Sequence, residues 1–179
     1  VGCSSRVAPE EEGLFAGGDL RPLRQLRGMP TGEAYAWPGA LVALHQRMLG
    51  APKPVIALVD GAAFAGGMGI AGMCDVIVAT ERASFAMPEV RIGMFPMIII
   101  GHLVRSLPRK ALLEMMLTGE AIDAAEAHRL AFVSKLEPDA EAMWQRADAL
   151  AAAFAQVSPV ALRLGRKTFG ILADMPASQ

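Results

Sequence analysis

The chain has 179 residues, enough for one domain with a sizeable core. Apolar residues make up 53% and charged residues 20%, with a formal net charge of −1. That balance points neither to a nucleic-acid partner nor to a membrane surface held by charge. Cys3 and Cys74 are too few for a disulfide scaffold, so a reducing, cytoplasmic setting is the expectation. The uncharged run from Gly61 to Cys74 is glycine-rich and too short to span a bilayer. Val1-Gly-Cys-Ser-Ser-Arg6 has no apolar signal core and no initiator methionine, which fits a processed product or a fragment.

In chain order, residues 1–12 read as an irregular, solvated tail with Pro9 and three consecutive glutamates. Gly13-Leu-Phe-Ala-Gly17-Gly18-Asp19 is a glycine turn, with Asp19 placed to cap a helix through Leu26. Residues 28–33 are loop. Leu41, Leu44, His45 and Met48 fall at helical spacing between about Ala40 and Leu49. Pro52 and Pro54 end that helix, and Lys53 to Asp60 reads as a buried strand. A glycine-dense turn and a short apolar helix from about Gly66 follow. Asp75 to Thr80 is the next strand and Ala83 to Met87 a shorter one. Pro88 to Gly93 reads as a loop carrying Glu89 between apolar neighbours. Phe95 to Leu107 reads as an apolar helix, and Pro108 opens another over residues 109–117. A short helix runs from Asp123 to Arg129, Phe132-Val-Ser134 is strand-like, and two helices follow over 141–157 and from Pro159 towards Leu172. Strands alternating with helices make the class α/β.

Gly67-Met-Gly69-Ile-Ala-Gly72 matches the G-x-G-x-x-G dinucleotide fingerprint. Its placement argues against that reading. Residues 60–66 stand between the strand and the motif, and the helix ends before a new strand at Val76. There is no P-loop and no Gly-x-Ser-x-Gly elbow. His45, His102 and His128 lack metal-ligand spacing, and no metal is expected. His45 and His128 read as helix-surface residues and His102 as a residue near the core. What remains is two glycine turns at helix starts and one carboxylate in an apolar loop. A helix N-terminus with glycines can cradle an anion, either a phosphate or a developing oxyanion. Two N–H groups from separate turns could share one carbonyl oxygen, with the carboxylate moving a proton at the adjacent carbon. A shared purpose is one reading, and three unrelated structural features is the other.

These same residues resemble the crotonase superfamily, the enoyl-CoA hydratase/isomerase family. Phe15-Ala-Gly-Gly18-Asp19-Leu20-Arg21 resembles its first oxyanion segment. Lys53 through Gly66-Gly67 to Cys74-Asp75 resembles the second, and Phe85-Ala-Met-Pro88-Glu89-Val90 to Gly93 the segment bearing a catalytic glutamate. Pro108 through Thr118-Gly119 to Ala127 resembles the helix pair that follows. The resemblance implies a crotonase-like spiral of ββα units, incomplete at both ends, with residues 13–179 as a partial domain. It implies an acyl-CoA thioester substrate, with no separate cofactor because coenzyme A belongs to the substrate. It also implies assembly as a homotrimer or hexamer, and no nucleic-acid or membrane partner. By position, Gly18 and Gly66 would hold the thioester oxygen, Glu89 would be the acid/base, and Asp19, Leu20, Arg21 and Gly67 would line the substrate.

Two departures from the family pattern bear on the chemistry. Many hydratases carry a further glutamate where this chain has Gly69, so one carboxylate remains. That favours moving a double bond over adding water without excluding hydration, and Gly69 would leave room for a bulkier acyl group, with Met94 to Ile100 either lining it or packing in the core. Strands before residue 13 and helices after residue 170 are also lacking, which predicts an unpaired sheet edge and exposed apolar surface. A non-catalytic acyl-CoA-binding or subunit-interaction chain of the same fold is the alternative, and a nucleotide-binding α/β domain the third reading.

Overall fold

The computed structural model describes residue 39 and residues 42–174. The glycine turn at 13–18 and the helix expected through Leu26 lie outside those residues. A helix over residues 42–49 (α1) comes first. Two strands follow, β1 (Ile56–Val59) and β2 (Ala62–Phe64), then helix α2 (Gly66–Gly72). The pattern repeats with β3 (Val76–Thr80), β4 (Ser84–Ala86) and a 3-10 helix over Pro88–Ile92. Then come α3 (Ile100–Ser106), α4 (Arg109–Thr118), β5 (Ile122–Asp123), α5 (Ala124–Arg129), β6 (Lys135–Glu137), α6 (Ala140–Ala155) and α7 (Pro159–Asp174).

Each strand–strand–helix unit gives one strand to each of two sheets. The first sheet has the order β1-β3-β6, all parallel, and the second the order β2-β4-β5. In the second, β2 and β4 run parallel and β5 antiparallel. Successive units therefore stack like turns of a coil. The corners are tied as well. Asp60, between β1 and β2, accepts from Thr80 Oγ1 at 2.8 Å and from Arg82 Nε at 2.7 Å in the next unit. The Arg82 hydrogen bonds hold the Asp60 carboxyl below its usual range. Among the described residues, β1 and β2 pair on one side only.

The core lies between the sheets and the helices that follow them. Met68, Phe85 and Leu103 are fully buried, and the Phe85 ring meets the edge of Phe132 at 5.3 Å. Helix α2 can lie this close because it is made of small residues. A Cβ on Gly72 would come within 2.6 Å of Leu103 Cδ2. Two helices start where an aspartate caps them: Asp123 Oδ1 accepts from Glu126 N, and Asp139 Oδ1 from Ala142 N, both at 2.8 Å.

Three expectations change. The helix drawn from Phe95 begins only at Ile100. Pro96 disfavours a helical Phe95, and a tight turn with Met97 N donating to Phe95 O at 2.8 Å precedes the helix instead. Phe132 and Val133 are core residues rather than a strand. Ser134 bonds to Ile77 through both its backbone N–H and its hydroxyl, and β6 starts one residue later. His45 is not on the surface. It is 2% exposed while Leu44 beside it is 41% exposed, so α1 turns the face of His45 and Met48 inward. Its ring stands edge-on to His102 at 4.9 Å. His128 is exposed as expected, with Nδ1 2.8 Å from Val133 O.

Candidate active site

Gly66 and Glu89 are 23 positions apart in sequence, and strand pairing brings their turns together. Parallel β2 and β4 place Phe64 opposite Ala86. One residue on, Ala65 N donates to Ala86 O at 2.9 Å. Both chains then leave the same end of the sheet. One enters α2 at Gly66, and the other passes Met87 into the 3-10 helix that holds Glu89.

The first of these turns is strained. Ala65 has φ 51° and ψ −120°, a conformation that favours glycine. It lets the chain reverse from β2 into a helix without a linker. No side chain caps the N-terminus of α2, and no acidic residue lies in its first turn. The first helical N–H to find an acceptor at Ala65 belongs to Gly69, at 3.1 Å. A Cβ on Gly66 would meet nothing within 4 Å, so there is open space beside its Cα. Gly67 and Met68 face the core.

Glu89 sits in the first turn of the 3-10 helix, behind Pro88. Gly93 closes the turn in the left-handed region at φ 77°, and Met94 N donates to Glu89 O at 3.0 Å. The Glu89 side chain is half-buried, and its Oε2 is fully buried with no hydrogen-bond partner. Burial pushes its carboxyl above the usual range, opposed in lesser part by its own backbone N–H. A buried, unpaired carboxylate oxygen is costly, and this one follows a strand paired with the strand that leads into α2. The pair has the parts of a proton-transfer site: a base with raised pKa and donors for a developing anion.

The space expected at Gly69 is not there. Ile99 occupies it: a Cβ on Gly69 would lie 2.2 Å from Ile99 Cγ2 and 2.8 Å from Ile99 Cβ. The run from Met94 to Ile100 divides between core and surface. Ile99 is buried at 2% exposure, whereas Met97 is 70% exposed. Surface hollows lined by Glu81, Arg82, Pro138, Asp139 and Ala140, and by Glu137, Ala142, Gln145, Arg146 and Ala149, involve neither Gly66 nor Glu89. The Cys74 thiol is no nucleophile at neutral pH, because burial and then Asp75 push it up to about 11. Gly18, Asp19, Leu20 and Arg21 lie outside the described residues. Sequence reasoning missed Ile99 as a neighbour of the site, since nothing in its apolar run separates it from Ile98 or Ile100.

The sequence pattern of the enoyl-CoA hydratase/isomerase family matches residues 10–176. The human mitochondrial enoyl-CoA hydratase domain-containing protein 3 is 36% identical over 163 residues, which cover 91% of this chain and 53% of that protein. An enoyl-CoA hydratase crystal structure from Shewanella pealeana superposes with a TM-score of 0.85 at 30% identity, over 92% of this chain and 61% of its own. AtuE from Pseudomonas aeruginosa gives 0.82 at 30% identity, over 91% and 64%. The chain thus spans between about half and two thirds of the length of these relatives. A family pattern that runs through both glycine-turn and glutamate segments, on a matching fold, shows that this chain belongs to the enoyl-CoA hydratase/isomerase family.

Proposed function

We propose that this protein acts on acyl-CoA thioesters by one-base enolate chemistry, shifting a 3-enoyl double bond to the 2-position. The observation that supports the reading is the β2–β4 pairing, which makes the turns leading to Gly66 and to the half-buried Glu89 leave the same end of one sheet. Glu89 as carboxylate would take a proton from C2, between the thioester carbonyl and the C3–C4 double bond. The electron pair moves onto the thioester oxygen, where the N–H groups of Gly66 and Gly18 would receive it. The Glu89 carboxylic acid then returns the proton at C4, leaving the double bond between C2 and C3. One such donor supplies about 3–4 kcal/mol in comparable sites.

Gly69 supports isomerisation over hydration, because adding water divides more naturally between two carboxylates. Asp19, Leu20, Arg21 and Gly67 are assigned to substrate contact on the sequence resemblance alone. Coenzyme A belongs to the substrate, and no other cofactor is required. Trimers or hexamers go with the same reading and would cover the apolar side chains that α7 leaves exposed, Phe169 and Leu172 among them.

The test is turnover of 3-enoyl-CoA and 2-enoyl-CoA thioesters with the products identified, for the parent and for Glu89→Gln. Conversion of 3-enoyl to 2-enoyl without uptake of water, slowed roughly 10²–10⁴-fold by Glu89→Gln, is the expected result. Hydration as the parent's main reaction would overturn the isomerase assignment. Thioester binding without turnover would make the chain a binding protein.

A further inference from the structure

Helix geometry relates Gly69 to the site. Residues three apart share a helix face, and each Cα–Cβ bond tilts towards the N-terminus. A side chain at position 69 would therefore lean back over the turn that begins at Gly66. Gly66 itself is open, since a Cβ there would meet nothing within 4 Å. The space belonging to a side chain at 69 is instead occupied from another element. Ile99 enters it from the turn before α3, with Cγ2 only 2.2 Å from where the Cβ would stand. Ile99 is almost completely buried. It is also held in place: His102 N and Leu103 N both donate to its carbonyl, at 3.2 Å each. An aliphatic side chain thus stands where the first atom of a side chain at position 69 would have to be.

We propose that Ile99 is the specificity-determining residue of this site, an apolar plug that fills the side-chain place of position 69 and keeps water from that flank of the glycine turn. This rests on the proposed enolate chemistry. Water addition to a 2-enoyl thioester delivers hydroxyl to C3 and a proton to C2, so it needs an ordered water beside the C2–C3 bond. A β-branched hydrocarbon provides no hydrogen bond to order one. The double-bond shift needs none, because one carboxyl carries the proton both ways.

The test is a double-variant cycle in the full chain, read by melting and by product. Gly69→Glu alone forces a side chain onto Ile99 and is expected to lower Tm by roughly 5 °C or more. Ile99→Ala also lowers Tm. Combined, the glutamate side chain introduced at position 69 enters the vacated space, so the joint loss falls several degrees short of the sum. By product, Ile99→Ala and the double variant raise the ratio of 3-hydroxyacyl-CoA to 2-enoyl-CoA at least about tenfold, a change of about 1.4 kcal/mol in barrier difference. Ile99→Val, which keeps the β-branch and loses one methyl, shifts the ratio the same way by less and guards against a poorly folded alanine variant. Additive melting losses would show that Ile99 does not hold the place of residue 69. An unchanged product ratio in Ile99→Val and Ile99→Ala would overturn its role in excluding water. A parent that turns over neither thioester would instead defeat the proposed function, and the water-excluding role with it, while the melting cycle still decides the packing.

Discussion

Glu89 places a carboxylate where the protein must work against its charge. Its pKa is raised chiefly by burial, so the ionised form that takes up a proton predominates only above the ordinary value of 4.5. The rate of double-bond shift should accordingly rise with pH through an inflection above 4.5. The sign for stability is opposite. A carboxyl whose folded pKa exceeds its unfolded value contributes stability below the unfolded pKa and loses it as pH rises through the folded one. Glu89→Gln, uncharged throughout, should therefore melt higher than the parent at about pH 7, with the advantage gone below about pH 4.5. Thermal melts of the two proteins across that range check it. A variant that is both inactive and more stable is what a functional, energetically costly side chain predicts.

At the scale of elements, α1 and α3 meet through two imidazoles. Burial and the His102 ring both hold His45 below its usual pKa, and His45 Nε2 is buried without a partner. The folded protein binds this proton less readily than the unfolded chain. Stability is therefore intact above about pH 6.5 and falls as pH drops from there towards the folded pKa. His45→Leu should change stability little at about pH 7.5, within about 1.5 kcal/mol, and flatten the decline between about pH 6.5 and 5. An equally steep decline in the variant would place the acid sensitivity elsewhere.

Here too the legibility of the sequence has a physical reading. The strands at Ile56, Val76 and Ser84 were readable because they are short apolar runs bounded by proline, glycine and charge. The helices at 109 and 124 were readable from Pro108 and Asp123. The crotonase-like spiral was legible through three motif segments together, not through periodicity. The burial of His45 was not readable, because an imidazole at helical spacing with Leu41, Leu44 and Met48 suits surface or core, and tertiary packing buried it while leaving Leu44 exposed. Nor was the 95–99 turn, where apolar side chains mask the breaker at Pro96. Gly69 was legible as a missing carboxylate and misread as empty space, since a sequence does not show what a distant residue such as Ile99 puts there.

Across the whole molecule, α7 is attached through one residue more than through its apolar face. Val160, Leu164, Phe169 and Ile171 are exposed, while Arg166 reaches into the body. Its Nε donates to Asp75 Oδ1 at 2.8 Å, and its guanidinium also donates to the carbonyl of Ala51. Asp75 Oδ2 in turn accepts from Val55 N at 2.6 Å, next to β1. Thus one guanidinium joins the last helix to the starts of β1 and β3. Arg166→Ala leaves a partly buried carboxylate oxygen and a carbonyl without this partner, at a cost of about 1–3 kcal/mol. Amide exchange should then quicken in α7 well before it does in β3. Equal acceleration in both elements would mean that α7 and the sheet unfold as one unit.

The regular coil also sets the order in which the chain can assemble. Ile56 lies opposite Val76 and Ala62 opposite Ser84, so each turn of the coil closes a loop of about 20 residues. Val78 must wait for Lys135, and Ser84 for Asp123, across much longer stretches. Closing the longest of these adds only about 1 kcal/mol of entropy, but the search takes longer. The turns carrying Gly66 and Glu89 belong to the short-range step. Short loop closure thus allows the Gly66 and Glu89 turns to meet without β5, β6 or the helices beyond, so that an unpaired carboxylate can enter the structure before its apolar cover does.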